Sequence, residues 1–161
     1  MTAEQSVEQV QQLQRKNKGV IRSLYDHMMG DQQKPIWTCL MFKNAARPKA
    51  YFTMWIMMNQ RLVTVDRLAK WGVVVEKTCV LCKSADENVE HLFMQCNFAR
   101  RMWGRLLTWI EKQNTVSMAW EHFMQWCIVH GKGKSSASPM FKTILAEGIH
   151  GLWMERNSRI F

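Results

Sequence analysis

Residues 79–96 read CVLCKSADENVEHLFMQC. Within that stretch Cys79, Cys82, His91 and Cys96 have the spacing C-x2-C-x8-H-x4-C. Two cysteines three apart can grip one ion from a tight turn. A histidine and a cysteine five apart can complete a tetrahedron from a following turn or helix. Three thiolates and an imidazole make a soft, closed ligand set, which favours one structural Zn2+ and leaves no open position for a catalytic water. Binding would couple to folding, because the stretch has few other means of holding its shape. A disulfide framework is disfavoured by the expected compartment. The N-terminus, MTAEQSVEQVQQLQ, is polar and carries Glu4 and Glu8. It has neither the apolar stretch of a secretory signal nor the acid-poor, Arg-rich character of a transit peptide. The chain is therefore expected to be intracellular, in the nucleus or cytoplasm if not in an organelle, where cysteines serve as thiols or metal ligands. Cys39 and Cys127 sit in the apolar settings WTCLMF and QWCIVH and are expected in the core. His27, His122, His130 and His150 show no further ligand spacing.

Outward from this stretch the apolar periodicity is helical. On the C-terminal side, Asn97 is a good N-cap for a helix from Phe98 to about Lys112. Ala99, Met102, Trp103, Leu106 and Ile110 form its expected apolar face, with Arg101, Arg105 and Lys112 on the other side. Ser117 can cap a further helix through Val129, and Gly131 opens a flexible loop. Ser138-Pro139 then starts a last helix, with Met140, Ile144, Ile149, Leu152 and Trp153 as its apolar members. On the N-terminal side, Pro48 suits a first helical turn, and AYFTMWIMMNQ then reads as a buried helix. Thr64 can cap the short helix TVDRLAKW, which Gly72 ends, and Val73–Val75 are expected to be extended. Val7, Val10, Leu13, Val20, Ile21, Leu24 and Met28 approximate a stripe on a leading helical arm. Trp55, Trp103, Trp109 and Trp153 are all expected to pack in the core.

No segment sustains strand alternation. The expected class is mostly α: a small multi-helix domain stapled by one structural zinc site, with little or no sheet. Three parts are expected: an N-terminal helical arm over 1–30, a zinc-binding domain over 31–112, and a C-terminal helical extension over 113–161 packing on it. The 161 residues suffice for a core, and 47% hydrophobic composition excludes general disorder. The longest mainly apolar stretch, Tyr51–Met58, is far too short to span a bilayer.

These residues, with their neighbours, resemble the reverse-transcriptase zinc-binding domain of plant LINE-type retrotransposons. The resemblance rests on Trp37, Pro48, Lys49, Phe52, Trp55, Leu62, Thr64, Asp66, Leu68 and Gly72, followed by CVLC, ENVEHLFMQC and Trp103. The ending GLWMERNSRIF is similar to a tail found after such domains. The resemblance implies zinc ligation by Cys79, Cys82, His91 and Cys96. It also implies a parental role in handling element RNA or target DNA beside a polymerase. Polymerase activity does not transfer, because that chemistry needs clustered carboxylates around two metal ions. The only adjacent acids here are Asp86 and Glu87, with no third partner in view. The chain is expected to be non-catalytic.

The formal net charge is +9, which points to an anionic partner such as RNA or DNA, bound without sequence preference. Residues 1–60 carry 8 basic and 4 acidic side chains, residues 61–96 carry 5 of each, and residues 97–161 carry 9 and 4. The 61–96 segment that contains the zinc spacing is thus neutral before its metal is counted. A retroviral-type zinc knuckle has a shorter loop with basic and aromatic residues around the metal. Here the loop between Cys82 and His91 holds Asp86, Glu87 and Glu90, and only Lys83 is basic. Nucleic acid is therefore expected on the flanks, at Arg100, Arg101 and Arg105 on one helix and at Arg15, Lys16 and Lys18 on the arm. The alternative partner is a protein, docked on the Met/Trp-rich helices with the metal only stabilising the fold.

Overall fold

The computed structural model describes residues 34–112, 119–133 and 137–161. The expected arm over 1–30, with Arg15, Lys16 and Lys18, lies outside the described residues, as does the Ser117 cap. Contacts divide the chain into two compact units, Met1–Pro35 and Ile36–Phe161, and every element below belongs to the second.

Thr38–Met41 forms a short helix, α1, with Leu40 and Met41 buried. Pro48–Met58 forms α2, where the proline occupies a first-turn position whose N–H would have no intrahelical partner. The side chain of Glu147, from the last helix, caps this end: its Oε1 accepts from the Arg47 amide at 2.9 Å. Ala50, Thr53, Met54, Met57 and Met58 are buried on α2, while Tyr51, Phe52 and Trp55 face solvent. The segment is therefore buried on one side only, and Trp55 lies outside the core, contrary to the sequence expectation. It follows Met54 by one residue, about 100° around the helix.

Val65–Lys70 forms α3. Thr64 occupies its N-cap, but the hydroxyl donates to Asp66 at 2.6 Å rather than capping an amide. The Val65 amide is satisfied instead by Glu87 Oε1 at 3.0 Å. At the other end Gly72 adopts φ +79°, and the Gly72 and Val73 amides donate to the Ala69 and Leu68 carbonyls. This is a left-handed helix stop that glycine accommodates without strain. Val73–Val75 form no strand. The only strand-type pairing among the described residues is an isolated antiparallel bridge between Thr78 and Asp86.

After a π-helical turn over His91–Gln95 come α4 (Asn97–Trp109), α5 (Trp120–Gly131) and α6 (Ala137–Ile160). The N-cap of α4 is Cys96, whose backbone is still extended; Asn97 is already the first helical residue. The helix ends at Trp109, short of the expected Lys112. Its buried face centres on Ala99, Trp103 and Leu107. Met102 and Leu106 pack only partly against the core, and Trp109 is 71% exposed. Six residues on from Trp103, Trp109 points about 120° away from it, which is why it misses the core.

The 24 residues of α6 span about 36 Å. This helix packs on α2, α4 and α5, while α1 packs on α5 and the π turn on α4. Phe141, Leu145, Ile149 and Leu152 form its buried stripe. Met140 is exposed and Ile144 and Trp153 only partly buried, so the stripe begins one residue later than periodicity indicates. A Cβ at Gly148 would lie 2.8 Å from the Trp103 ring, so α4 and α6 reach their separation only because that position has none. The Trp103 indole N–H donates to the Phe93 carbonyl at 2.8 Å, which satisfies the one polar atom it carries into the core. Cys127 is fully buried and Cys39 partly so, both against the core. No helix among the described residues is long and apolar enough to cross a membrane.

Candidate metal centre

Cys79 and Cys82 sit on a tight loop closed by three backbone bonds. The Cys79 amide donates to Ala85 O at 2.8 Å, the Lys83 amide to Cys79 O at 2.8 Å, and the Glu87 amide to Lys77 O at 2.8 Å. Lys83 takes a positive φ of 54° to make the turn. The second pair comes from the π turn. Its i→i+5 bond, from the Cys96 amide to His91 O at 2.7 Å, folds the ends of H-x4-C onto one another. The His91 amide is capped by Asn88 Oδ1 at 2.8 Å, and Leu92, Phe93 and Met94 anchor the turn in the core. Single π turns are uncommon and recur at functional sites. Here the wider turn brings His91 and Cys96 to one point.

One ligand atom from each of Cys79, Cys82, His91 and Cys96 lies within 4.8 Å of all the others. Cys79 Sγ is 4.0 Å from Cys96 Sγ, and Cys82 Sγ is 3.2 Å from His91 Nε2. Tetrahedral zinc, with Zn–S about 2.3 Å and Zn–N about 2.0–2.1 Å, needs ligand atoms about 3.4–3.8 Å apart. The group thus brackets the required spacing and has the donor chemistry zinc prefers. Cys79, His91 and Cys96 are buried and Cys82 is partly exposed.

The thiols are already differentiated. A hydrogen bond from Cys79, opposed by burial and assisted by the amides of Ala99 and Phe98 in the first turn of α4, lowers Cys96 to about 7. The same bond, with burial, pushes Cys79 up to about 12, although the amides of Cys82 and Leu81 favour its thiolate. A cation at the centre would displace the shared proton and draw on both sets of amides. Ser84 adds a hydroxyl hydrogen bond to Cys82 Sγ at 3.1 Å, a partner of the kind that orients ligands around a metal.

The expected nucleic-acid contacts separate. Arg100, Arg101 and Arg105 are all exposed, with no ion pair among the described residues. Arg101 and Arg105 lie one turn apart and line a groove between α4 and α6. Arg100 is about 100° round the helix from Arg101 and does not line it.

Sequence reasoning missed Glu87 and Arg156. Their side chains are 0% and 4% exposed, and they pair at 2.6 Å. Arg156 Nε contacts both carboxylate oxygens at 3.1 Å, and its Nη2 donates to Oε1. Together with the Val65 amide, Glu87 joins the loop bearing Cys79 and Cys82 to α3 and to the end of α6. The only sequence signal was the GLWMERNSRIF ending, which holds Arg156.

No curated protein and no solved structure matches the chain. A family model described as zinc-binding in reverse transcriptase matches residues 20–103, which cover more than half of the 161 residues and include all four clustered ligands. The chain therefore belongs to the family of zinc-binding domains of reverse transcriptases.

Proposed function

We propose that this chain is a non-catalytic zinc-binding module that holds RNA or DNA, without sequence selectivity, on basic helix faces beside its metal loop. Cys79, Cys82, His91 and Cys96 bind one Zn2+, which staples the Cys79–Cys82 loop to the start of α4. Three thiolates and one imidazole fill a tetrahedral shell, which supports a structural metal rather than one that activates water. The adjacent acids Asp86 and Glu87 also make a poor polymerase-type pair, because Glu87 is committed to Arg156 and the Val65 amide. The observation that carries the nucleic-acid reading is the exposed arginine pair on α4, Arg101 and Arg105, free of acidic partners among the described residues.

Titrating the zinc-loaded chain with mixed-sequence RNA and DNA at about 50 and 200 mM salt tests it. Affinity should be similar across sequences and fall steeply with salt. No binding to either polymer at low salt would sink the reading.

A second reading has its own support. Tyr51, Phe52 and Trp55 are exposed within about 100° of the α2 circumference, with the Phe52 and Trp55 rings stacked at 6.1 Å. Such a patch fits a protein surface. In that case a nuclease-resistant partner would be retained by the native chain and lost on Phe52→Ser with Trp55→Ser.

A further inference from the structure

The groove between α4 and α6 encloses about 580 Å³. Met102, Leu106, Gly151 and Leu152 line it, and Arg101 and Arg105 edge it. A Cβ at Gly151 would touch nothing within 4 Å, so the α6 wall is open there. Glu155 is the acid in the groove, and Arg159 engages it at 2.6 and 2.9 Å. Arg159 also lies over the Phe98 ring at 4.9 Å. The net character of the groove is therefore basic at the edges and apolar along the floor.

Trp109 extends this line. Arg101, Arg105 and Trp109 follow each other at four-residue spacing, so one stripe about 12 Å long carries two guanidinium groups and then an indole. The indole is 71% exposed at the end of α4. An exposed indole has a face on which any base can stack. Arginine charge tracking a backbone, next to an aromatic platform, is the combination that binds single strands with little sequence preference. A duplex hides its base faces and would use the arginines alone.

We propose that Arg101, Arg105 and Trp109 form a track for single-stranded nucleic acid, with the guanidinium groups on successive phosphates and a base stacked on the Trp109 indole. This rests on the nucleic-acid reading above and adds to it the strand state and a stacking residue. The charge decides the occupant: both unpaired edge groups are cationic, which suits a polyanion with planar bases better than an apolar peptide.

The test compares single-stranded and double-stranded RNA of the same mixed composition, titrated into the zinc-loaded full chain and into three variants. Trp109→Ala should weaken single-strand binding about 5- to 100-fold and leave duplex binding nearly unchanged. Trp109→Phe should restore most of the loss. Arg101→Gln with Arg105→Gln should weaken both and reduce the single-strand salt slope by about 1.4. All three should keep the native melting temperature and zinc content, since none of these side chains is in the core. Single-strand binding that is unchanged in Trp109→Ala overturns the track while leaving the general nucleic-acid reading in place. Absence of RNA binding by the native chain overturns the track, and absence of binding to DNA as well overturns both. Variants that stay monomeric and RNA-binding but lose a protein partner would assign the stripe to a protein surface, which also overturns the track.

Discussion

The carboxylate of Glu87 is 0% exposed, yet every one of its contacts is a donor: Arg156 Nε and Nη2 and the Val65 amide. A charge so placed is tolerable only while its partners remain, because an unpaired buried ion keeps its full desolvation penalty. Arg156→Met should therefore cost about 3–5 kcal/mol in urea unfolding of the zinc-loaded chain. Glu87→Met with Arg156→Met should cost less than either change alone, about 1–3 kcal/mol, the residue being the orphaned Val65 amide. If the double variant were the less stable, the pair would be contributing net attraction beyond its desolvation. At this scale the four clustered ligands were legible because metal spacing is local: two ligands per turn, two turns in eighteen residues. Glu87 and Arg156 were not, since they are 69 residues apart and opposite charges at that separation leave no pattern in the chain.

Among the elements, helices were legible from Pro48, from the Gly72 stop and from apolar periodicity, and their phases less so. Met102, Leu106 and Trp109 of α4 are apolar, and a stripe drawn through them is as regular as the buried one. Packing chose the set about Trp103 because Gly148 lets α6 approach there. The capping of α2 and α3 was also illegible, since acids from other segments supply it: Glu147 for α2 and Glu87 for α3. The Arg47 hydrogen bond holds the Glu147 carboxyl below its ordinary 4.5. A depressed carboxylate stabilises the fold above its unfolded pKa, and that contribution is lost as pH falls through the folded value. Glu147→Gln should then lose about 0.3–1 kcal/mol at neutral pH, the range for a partly exposed acid at a helix N-terminus. The difference from the native chain should begin to shrink below about pH 4.5 and vanish at lower pH. Parallel stability curves throughout the acid range would contradict the cap.

For the Ile36–Phe161 unit, the matched family region ends at residue 103, yet α6 lies beyond it and packs on α2, α4 and α5. The C-terminal helix is thus part of the core that holds the metal loop. A chain ending at Lys132 should lose near-ultraviolet circular dichroism and retain zinc poorly, because both Arg156 and the wall behind Trp103 are gone. A truncated chain with native signal and full zinc would show the helix to be an accessory. Binding of one zinc by the Cys3His group is read directly by X-ray absorption at the zinc edge on the purified native chain. One equivalent of zinc is expected, with three sulfurs at about 2.3 Å and one nitrogen at about 2.0–2.1 Å. A shell of oxygen and nitrogen, or two sulfurs or fewer, would contradict it.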